Sequence, residues 1–221
     1  RSVADGHLRL SKARKRRIAD RMEKPAQAKH RIEDVIAHRW SPRAFDERPV
    51  EPEKLKSLFE AARWAPSSNN EQPWRFLAAN KEQGPDYDRL LSCLSEGNSK
   101  WVFRAPLLIL SVASLFFEDD GKPNRHAMHD TGLAVENLVL QATALGLQAH
   151  QMAGYDVEKA RKACQIPSGF EPVAMIAVGY PGDPEILPEY LRERELKPRE
   201  RQPIEDFVFT ASWGRTSPLV R

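Results

Sequence analysis

The first third of the chain carries two stretches in which apolar residues recur at helical spacing. Apolar positions three and four residues apart predict a short amphipathic helix that ends near Arg39. A second helix is predicted from about Pro52, with Glu51 and Glu53 beside its N-terminus and Pro66 stopping it. The apolar stripe of the first helix consists of Ile32, Val35 and Ile36, and that of the second of Leu55, Leu58, Phe59 and Ala62.

The rest of the chain alternates predicted strands with predicted helices. Strands are expected at residues 74–79, 107–114, 148–152 and 172–178, and the second is a continuous apolar run typical of a buried strand. Shorter helices are expected at residues 87–94 and 157–164. The longest periodic stretch, residues 125–145, predicts a central core helix that stops at Gly146. Its apolar face consists of Leu133, Val135, Leu138, Val139 and Ala142.

Strands that alternate with helices, without an internal repeat, indicate one α/β or α+β domain over residues 31–221. The length of 221 residues and the hydrophobic fraction of 41% are those of a single domain with a packed core. Residues 180–203 are rich in proline and charge and have too few apolar side chains for a core of their own. We expect this segment to cover another surface.

Basic charge is concentrated in the first 30 residues. These contain ten Lys and Arg against three Asp and Glu, a balance of +7; because the whole chain carries +3, the remainder carries −4. Proteins that bind a nucleic-acid backbone usually spread basic charge over the folded surface. The run at residues 12–17 fits a localisation or nucleic-acid signal, but Met22 opens a plausible native start, which favours an upstream or expression-derived extension. We expect residues 1–30 to be a disordered or appended tail without a catalytic role.

Several absences narrow the class of protein. No apolar run approaches the roughly 20 residues of a membrane-spanning helix, and the first residues lack the apolar core of a signal peptide. Cys93 and Cys164 are far apart and outside any Cys-x-x-Cys pair, which predicts neither a disulfide framework nor a thiolate zinc site. These features predict a cytoplasmic protein. His126 and His129 are three residues apart on a predicted helix, but zinc needs further ligands, so we expect no metal site.

Two polar segments in the first half have the composition of a ligand site. Residues 39–43 (Arg-Trp-Ser-Pro-Arg) place two guanidinium groups around a hydroxyl, which can hold a phosphate or stabilise a ring that becomes anionic. Arginines at the end of a helix also complement its dipole without any ligand. Residues 66–74 (Pro-Ser-Ser-Asn-Asn-Glu-Gln-Pro-Trp) concentrate hydroxyl and amide groups on a loop between prolines. Such a loop binds a ligand, or uses these groups for capping and turn formation.

Two further segments lie in the second half. At residues 151–156, the small residues Ala153 and Gly154 allow a planar ligand to approach the backbone, and Asp156 can cap the following helix. A glycine turn followed by a cap explains the same pattern. At residues 198–203, Arg199 and Arg201 project to one side if the chain is extended, although such charges are often simply solvated.

Taken together, the four segments resemble the nitroreductase family of flavin-dependent oxidoreductases, in order from residue 31 to about residue 208. The most specific match is the Pro-Ser-x-x-Asn-x-Gln-Pro-Trp loop, followed by the Arg-x-Ser-x-Lys/Arg segment and the glycine turn. Many members of the family have Glu where Ala153 stands. The resemblance implies an α+β fold: a central, mostly antiparallel sheet flanked by helices, a long core helix, and an extended C-terminal segment that wraps a dimer partner.

The resemblance also implies an FMN site at the interface of a homodimer. Arg201, and less strongly Arg199, is expected at the FMN phosphate, while Arg43 and Arg39 are expected near the edge of the ring that becomes anionic. The match at Asn98 is loose. The full set that the resemblance assigns to FMN is Arg39, Trp40, Ser41, Arg43, Pro66, Ser67, Ser68, Asn70, Gln72, Asn98, Met152, Ala153, Gly154, Arg199 and Arg201.

The function implied by the resemblance is transfer of electrons from NADH or NADPH, through FMN, to a nitroaromatic, quinone or similar small acceptor in a two-step (ping-pong) exchange. FMN carries the chemistry, so no catalytic side chain is expected. The sequence agrees, because it has no Gly-x-Ser-x-Gly elbow, no Walker phosphate loop and no His-Glu-x-x-His helix. Neither nucleic acid nor a membrane is an expected partner.

Two alternatives stay open. Relatives of the same family remove halide from aromatic rings, fragment reduced flavin, or reduce enals and semialdehydes, and covering residues from the segment 97–125 would decide among these reactions. The other alternative is a binding protein that uses the basic tail to engage nucleic acid or an anionic membrane.

Overall fold

A five-stranded antiparallel sheet forms the centre of the structure, a computed structural model that describes residues 23–220. The strand order is β1-β5-β3-β2, and β4 pairs with residues 175–179 of the long β5. All pairings are antiparallel, which confirms the predicted α+β class with a mostly antiparallel sheet. The strands are β1 (Phe45–Asp46), β2 (Trp74–Asn80), β3 (Leu107–Ser114), β4 (Gln148–Met152) and β5 (Phe170–Pro181).

Seven helices surround the sheet in the described part of the chain. They are α1 (Asp34–His38), α2 (Pro52–Arg63), α3 (Pro85–Ser92), α4 (Glu96–Val102), α5 (Ala127–Ala144), α6 (Val157–Ala163) and α7 (Glu189–Leu196). The predicted bounds of the two longest helices, α2 and α5, and of β3 and β4 agree with the structure to within about two residues.

Both faces of the sheet are buried. Alternate residues of β3 enter two different clusters: Leu108 and Leu110 join the core that includes residues of α3, α4, α6 and α7, whereas Leu107 and Ile109 join the core built with α2 and α5. A strand with a core on each side must be apolar at nearly every position, which explains the unbroken hydrophobic run of β3.

Helix α5 is the predicted core helix. Val135, Leu138, Val139 and Ala142 are almost completely buried, and Leu133 packs against them at the edge. The helix ends where Gly146 adopts a left-handed conformation with φ of 73°, which glycine tolerates without steric cost.

The sequence analysis missed β1, α4 and α7, and it misjudged the apolar face of α1. β1 and α4 are short, and α7 contains too many charges to show an apolar stripe. Residues 180–203 pack on the core of their own chain, because Leu187 and Leu191 are buried in the cluster around β3. Helix α1 begins only at Asp34, and its predicted apolar residues Ile32 and Ile36 are 38% and 46% exposed in the single chain.

The structure also bears on the membrane and metal predictions, within residues 23–220. No helix there has the length and hydropathy needed to cross a membrane. The same residues include no group of three or more His, Cys, Asp or Glu side chains placed to hold a metal ion. His129 instead hydrogen-bonds the Asp130 carboxylate at 2.9 Å. The predictions made for residues 1–22 lie outside the described residues.

Candidate functional site

The segment after α1 and the segment after α7 meet at a pocket of about 210 Å³, which we call the basic pocket. It joins Arg39, Ser41 and Arg43 to Arg199 and Arg201, which are about 160 residues away in the sequence. The structure thus brings together two of the four predicted segments. The lining residues are Lys24, Arg39, Trp40, Ser41, Arg43, Arg194, Glu195, Lys197, Pro198, Arg199 and Arg201.

Strand β4 holds one wall of the basic pocket in place. The Gln148 side chain accepts the Trp40 backbone N–H at 3.3 Å and donates to the His38 carbonyl at 3.2 Å. The His150 ring nitrogen Nδ1 donates to the Pro42 carbonyl at 2.7 Å. Because Gln148 and His150 are two residues apart, their side chains leave the same side of the strand and hold both ends of the Arg39–Arg43 segment.

The guanidinium groups of the pocket have little carboxylate compensation. Within residues 23–220, Arg39, Arg199 and Arg201 form no salt bridge, although Arg39 lies 3.5 Å from the Ser41 hydroxyl. Burial, together with the like charges of Arg39 and Arg201, lowers the pKa of Arg199. Clustered cations of this kind bind a phosphate group well, because the anion relieves their mutual repulsion.

Arg199 and Arg201 differ in how free their side chains are. One Nη atom of Arg199 donates to the carbonyl oxygens of Lys24 and Ala37 at 2.7 and 2.8 Å. Among the described residues, Arg201 donates only to the carbonyl of its neighbour Glu200, at an exposed position. Arg201 therefore has more donors available for a ligand.

Sequence reasoning missed Lys24 and Glu195. Lys24 belongs to the segment in which no catalytic role was expected, yet its ammonium group donates to the backbone carbonyls of Glu195 and Lys197 and lies 5.0 Å from the Trp40 ring centre. Burial lowers the pKa of Lys24 and raises the pKa of the Glu195 carboxyl. Neither residue belongs to a recognisable motif; the available signal was the density of Lys and Arg around residues 194–201.

The turn after β4 forms a second group of predicted residues. Asn98, from α4, donates its side-chain amide to the Gly154 carbonyl at 2.9 Å, and the Ser95 backbone N–H donates to the same oxygen at 3.0 Å. A Cβ atom at Gly154 would lie 2.6 Å from Asn98 Nδ2 and 2.9 Å from Ser95 Oγ, so any side chain there would force Asn98 and Ser95 to shift. Met152 is buried beneath the turn and Ala153 is exposed on it. The loose sequence match at Asn98 is therefore next to the glycine turn in space.

The loop at residues 66–74 has a strained backbone. Asn69, Asn70 and Gln72 all have positive φ, between 52° and 59°. Such conformations are uncommon outside glycine and cost about 1–3 kcal/mol each. The loop is held by the Asp130 carboxylate, which accepts the Ser68 N–H at 2.9 Å, and by Ser67 Oγ, which accepts the Gln72 N–H at 3.0 Å.

This strained loop presents its polar groups outward. Asn70 and Gln72 are exposed, and Pro66 lies beside them at the surface. Within residues 23–220, no hydrogen bond or salt bridge connects the loop to the basic pocket or to the glycine turn. A single chain therefore unites the Arg39–Arg43 and Arg199–Arg201 segments but leaves the loop apart from them.

His150 predicts a pH dependence of stability. Burial lowers its pKa to about 4, while the hydrogen bond to Pro42 acts in the opposite direction. The unfolded chain, with an ordinary histidine pKa near 6.5, therefore takes up the proton first as the pH falls, so His150 costs stability progressively from pH 6.5 down to 4. The expected loss is about 2–3 kcal/mol.

Urea unfolding at pH 7 and pH 4.5 measures this loss. In His150→Gln the difference in unfolding free energy between the two pH values is expected to shrink by most of that amount. The exposed His30 supplies the matched control, since His30→Gln is expected to keep the wild-type difference. Equal pH dependence in wild type and His150→Gln would contradict the assignment.

Comparison with known proteins places this geometry in context. The sequence model of the family described as "Nitroreductase family" matches residues 36–94 and 83–180, which together span the Arg39–Arg43 segment, the strained loop and the glycine turn. The chain belongs to the nitroreductase family. It is accordingly an oxidoreductase of that family, and the predicted resemblance is confirmed.

Individual relatives agree with the family assignment. The nitroreductase-family chain is 36% identical to a protein solved as an oxidoreductase containing FMN, with a TM-score of 0.81, over 86% of this chain and 96% of that one. A Clostridium difficile nitroreductase family protein is 26% identical, with a TM-score of 0.62, over 84% and 99% of the two chains. A Streptomyces coelicolor protein that carries the name NADH dehydrogenase/NAD(P)H nitroreductase is 31% identical over 64% of this chain and 78% of its own length.

Proposed function

We propose that this nitroreductase-family protein binds FMN and transfers electrons from NADH or NADPH to a small aromatic or quinone-like acceptor. The observation that carries the proposal is the basic pocket, where guanidinium groups from two distant segments converge and where, within residues 23–220, Arg39, Arg199 and Arg201 form no salt bridge. Support comes from the similar protein solved as an oxidoreductase containing FMN and from the relative named for NAD(P)H.

The residues present fit a flavin mononucleotide. The donors of Arg39, Ser41 and Arg201 suit a phosphate, because cations and hydroxyls bind its oxygens. A Cβ atom at Gly154 would lie 2.6 Å from Asn98 Nδ2, so the glycine turn and α4 are in close contact there. Gln148 and His150 lie toward one end of β4, and the glycine turn follows its other end. Only a few residues separate them, and each residue advances about 3.3 Å along the strand. The basic pocket and the glycine turn are therefore attached to the two ends of the same short strand, and both would contribute to holding the cofactor.

Each part of the site has its own role in this proposal. Arg199 and Arg201 would hold the phosphate, and Arg43 would place positive charge near the ring. Arg39 is assigned to the phosphate rather than to the ring edge expected from the resemblance, because it lines the basic pocket with Arg199 and Arg201. Trp40 and Ser41 support these contacts, while Met152, Ala153, Gly154 and Asn98 form the wall beside the ring. Bound FMN supplies the redox chemistry by accepting and releasing a hydride equivalent, and positive charge near the ring favours its reduced, anionic form.

We further propose a homodimer in which the strained loop of one protomer completes the site of its partner. The loop carries the most specific family motif, yet within residues 23–220 no hydrogen bond or salt bridge joins it to the basic pocket of its own chain. Its exposed Asn70 and Gln72, together with Pro66, Ser67 and Ser68, would then reach FMN across the interface. The exposed apolar residues Ile32 and Ile36 of the α1 region are available for such a contact.

Free cysteines agree with the cytoplasm as the proposed location.

Anaerobic mixing of the flavin-loaded protein with NADH or NADPH tests the reaction. The oxidised flavin band is expected to bleach before any acceptor is added, and to return when a quinone or nitroaromatic is mixed in after the nucleotide has been removed. This result requires the two half-reactions of a ping-pong exchange. A band that bleaches only when donor and acceptor are present together would contradict the mechanism.

The alternative reactions of the family are distinguished by the acceptor. A halogenated aromatic or an enal that restores the oxidised band faster than quinones and nitroaromatics would favour the corresponding alternative. None of the described contacts favours these reactions over the proposed one.

A further inference from the structure

The basic pocket contains one buried carboxylate, that of Glu195. Its side chain, on α7, is 1% exposed although α7 itself is rich in charge. One carboxylate oxygen, Oε1, accepts the backbone N–H groups of Arg43 at 2.8 Å and of Ala44 at 3.0 Å. Glu195 therefore fixes the backbone at the end of the Arg39–Arg43 segment directly.

The second oxygen of the same carboxylate faces the Arg43 side chain. Oε2 lies 3.8 Å from Arg43 Nη1 and has no hydrogen-bond partner among the described residues. The Arg43 side chain is 27% exposed, so its guanidinium reaches from the buried carboxylate toward the pocket opening. Burial of a carboxylate is costly unless it is compensated, and here two N–H donors, the Arg43 guanidinium and the nearby Lys24 ammonium supply the compensation.

A carboxylate in a pocket that binds an anion needs a specific explanation. Its negative charge opposes phosphate binding, and a neutral side chain of similar size would fill the same space. The contacts of Glu195 indicate what it contributes, because both oxygens are directed at Arg43, one at its backbone and one at its guanidinium. The carboxylate removes the freedom of a side chain that otherwise has many rotamers, which lowers the entropy that Arg43 loses on binding a ligand.

We propose that Glu195 is a positioning residue that orients Arg43 for flavin binding, so that α7 and the Arg39–Arg43 segment form one preorganised unit. This inference rests on the proposed function, since it assumes that Arg43 contacts the bound flavin. Glu195 acts through Arg43 and does not itself touch the cofactor.

A double-mutant cycle between the two residues tests the proposal. Glu195→Gln keeps the size of the side chain and one acceptor oxygen for the N–H groups of Arg43 and Ala44, but it removes the charge that holds the guanidinium. The dissociation constant for FMN, measured by quenching of flavin fluorescence on flavin-stripped protein, is expected to rise about tenfold. In an Arg43→Ala background, Glu195→Gln is expected to raise the FMN dissociation constant less than about twofold, because the residue through which Glu195 acts is gone.

The matched control is Glu193→Gln, which removes the same charge from an exposed position on the same helix. It is expected to leave the FMN dissociation constant within about twofold of wild type, while thermal unfolding of the flavin-free variants reports their stability. If Glu195→Gln fails to unfold cooperatively, Glu195→Asp serves in its place, since it keeps the charge and withdraws the oxygens from Arg43.

The outcomes separate the possibilities. Unchanged or tighter FMN binding by Glu195→Gln would overturn the inference, and so would an equal loss with and without Arg43, since Glu195 would then act through the packing of α7. A wild-type protein that binds no FMN would overturn the proposed function itself, and the inference with it. Wild-type binding combined with unchanged variants would overturn the inference alone.

Discussion

Replacing Gly154 with valine is expected to reduce flavin-dependent turnover about 100-fold, because small misplacements in an active site have effects of that size. A Cβ atom at this position would lie 2.6 Å from Asn98 Nδ2 and 2.9 Å from Ser95 Oγ. The larger valine side chain must displace Asn98, whose amide donates to the Gly154 carbonyl. The turn and the wall beside the flavin ring would then shift together. Steady-state oxidation of NADH or NADPH with a quinone acceptor measures the loss.

The chain offers a matched glycine on the neighbouring helix. A Cβ atom at Gly97 would meet no atom within 4 Å, so Gly97→Ala is expected to retain wild-type turnover. Thermal unfolding of both variants distinguishes a local change from loss of the fold. Near-normal turnover in Gly154→Val would show that the turn does not lie beside the reacting ring.

Replacing Arg201 with alanine is expected to weaken FMN binding by about 10- to 100-fold, the loss that follows from removing a hydrogen bond to a charged group worth roughly 1.5–3 kcal/mol. Arg201 lines the basic pocket, forms no salt bridge within residues 23–220, and has most of its donors free. Riboflavin lacks the phosphate, so its dissociation constant is expected to stay within about twofold of wild type. Fluorescence titration with the two flavins measures the difference.

Arg192 provides the control for this substitution. It lies on α7, outside the basic pocket, and pairs with Glu185 at an exposed position. Arg192→Ala is expected to change neither dissociation constant by more than about twofold, since exposed pairs contribute little. If Arg201→Ala weakened the binding of riboflavin as strongly as that of FMN, Arg201 would stabilise the pocket as a whole rather than bind the phosphate.

The sequence predicted best the elements whose local pattern matches their final environment. The unbroken apolar run of β3 reflects burial on both faces, and the periodicity of α5 reflects burial along one broad face. Helix α7 was missed because it is held by the burial of Leu191 and by the hydrogen bonds of Glu195 to distant residues, and not by a local apolar stripe. The exposed face of α1 was misjudged, because periodicity reports that a face is apolar without showing what covers it.

The candidate site shows the same difference between local sequence signals and packing against distant residues. The four motif segments were found from their chemistry and order, whereas the meeting of Arg39 and Arg43 with Arg199 and Arg201 depends on how α7 docks. Glu195 and Lys24 acquire their roles only through that docking, so no motif marks them, and the available signal was the density of Lys and Arg around residues 194–201. The left-handed backbone at Asn69, Asn70 and Gln72 was likewise invisible in the sequence, since asparagine and glutamine also occur in ordinary turns.

The central claim is that the basic pocket holds the phosphate of FMN, and a comparison of FMN with riboflavin on the flavin-stripped wild-type protein tests it most directly. Because several guanidinium groups converge where the phosphate is expected, FMN should bind at least about 100-fold more tightly than riboflavin, and the difference should shrink as the salt concentration rises. Equal dissociation constants for the two flavins, or no binding of either, would contradict the claim.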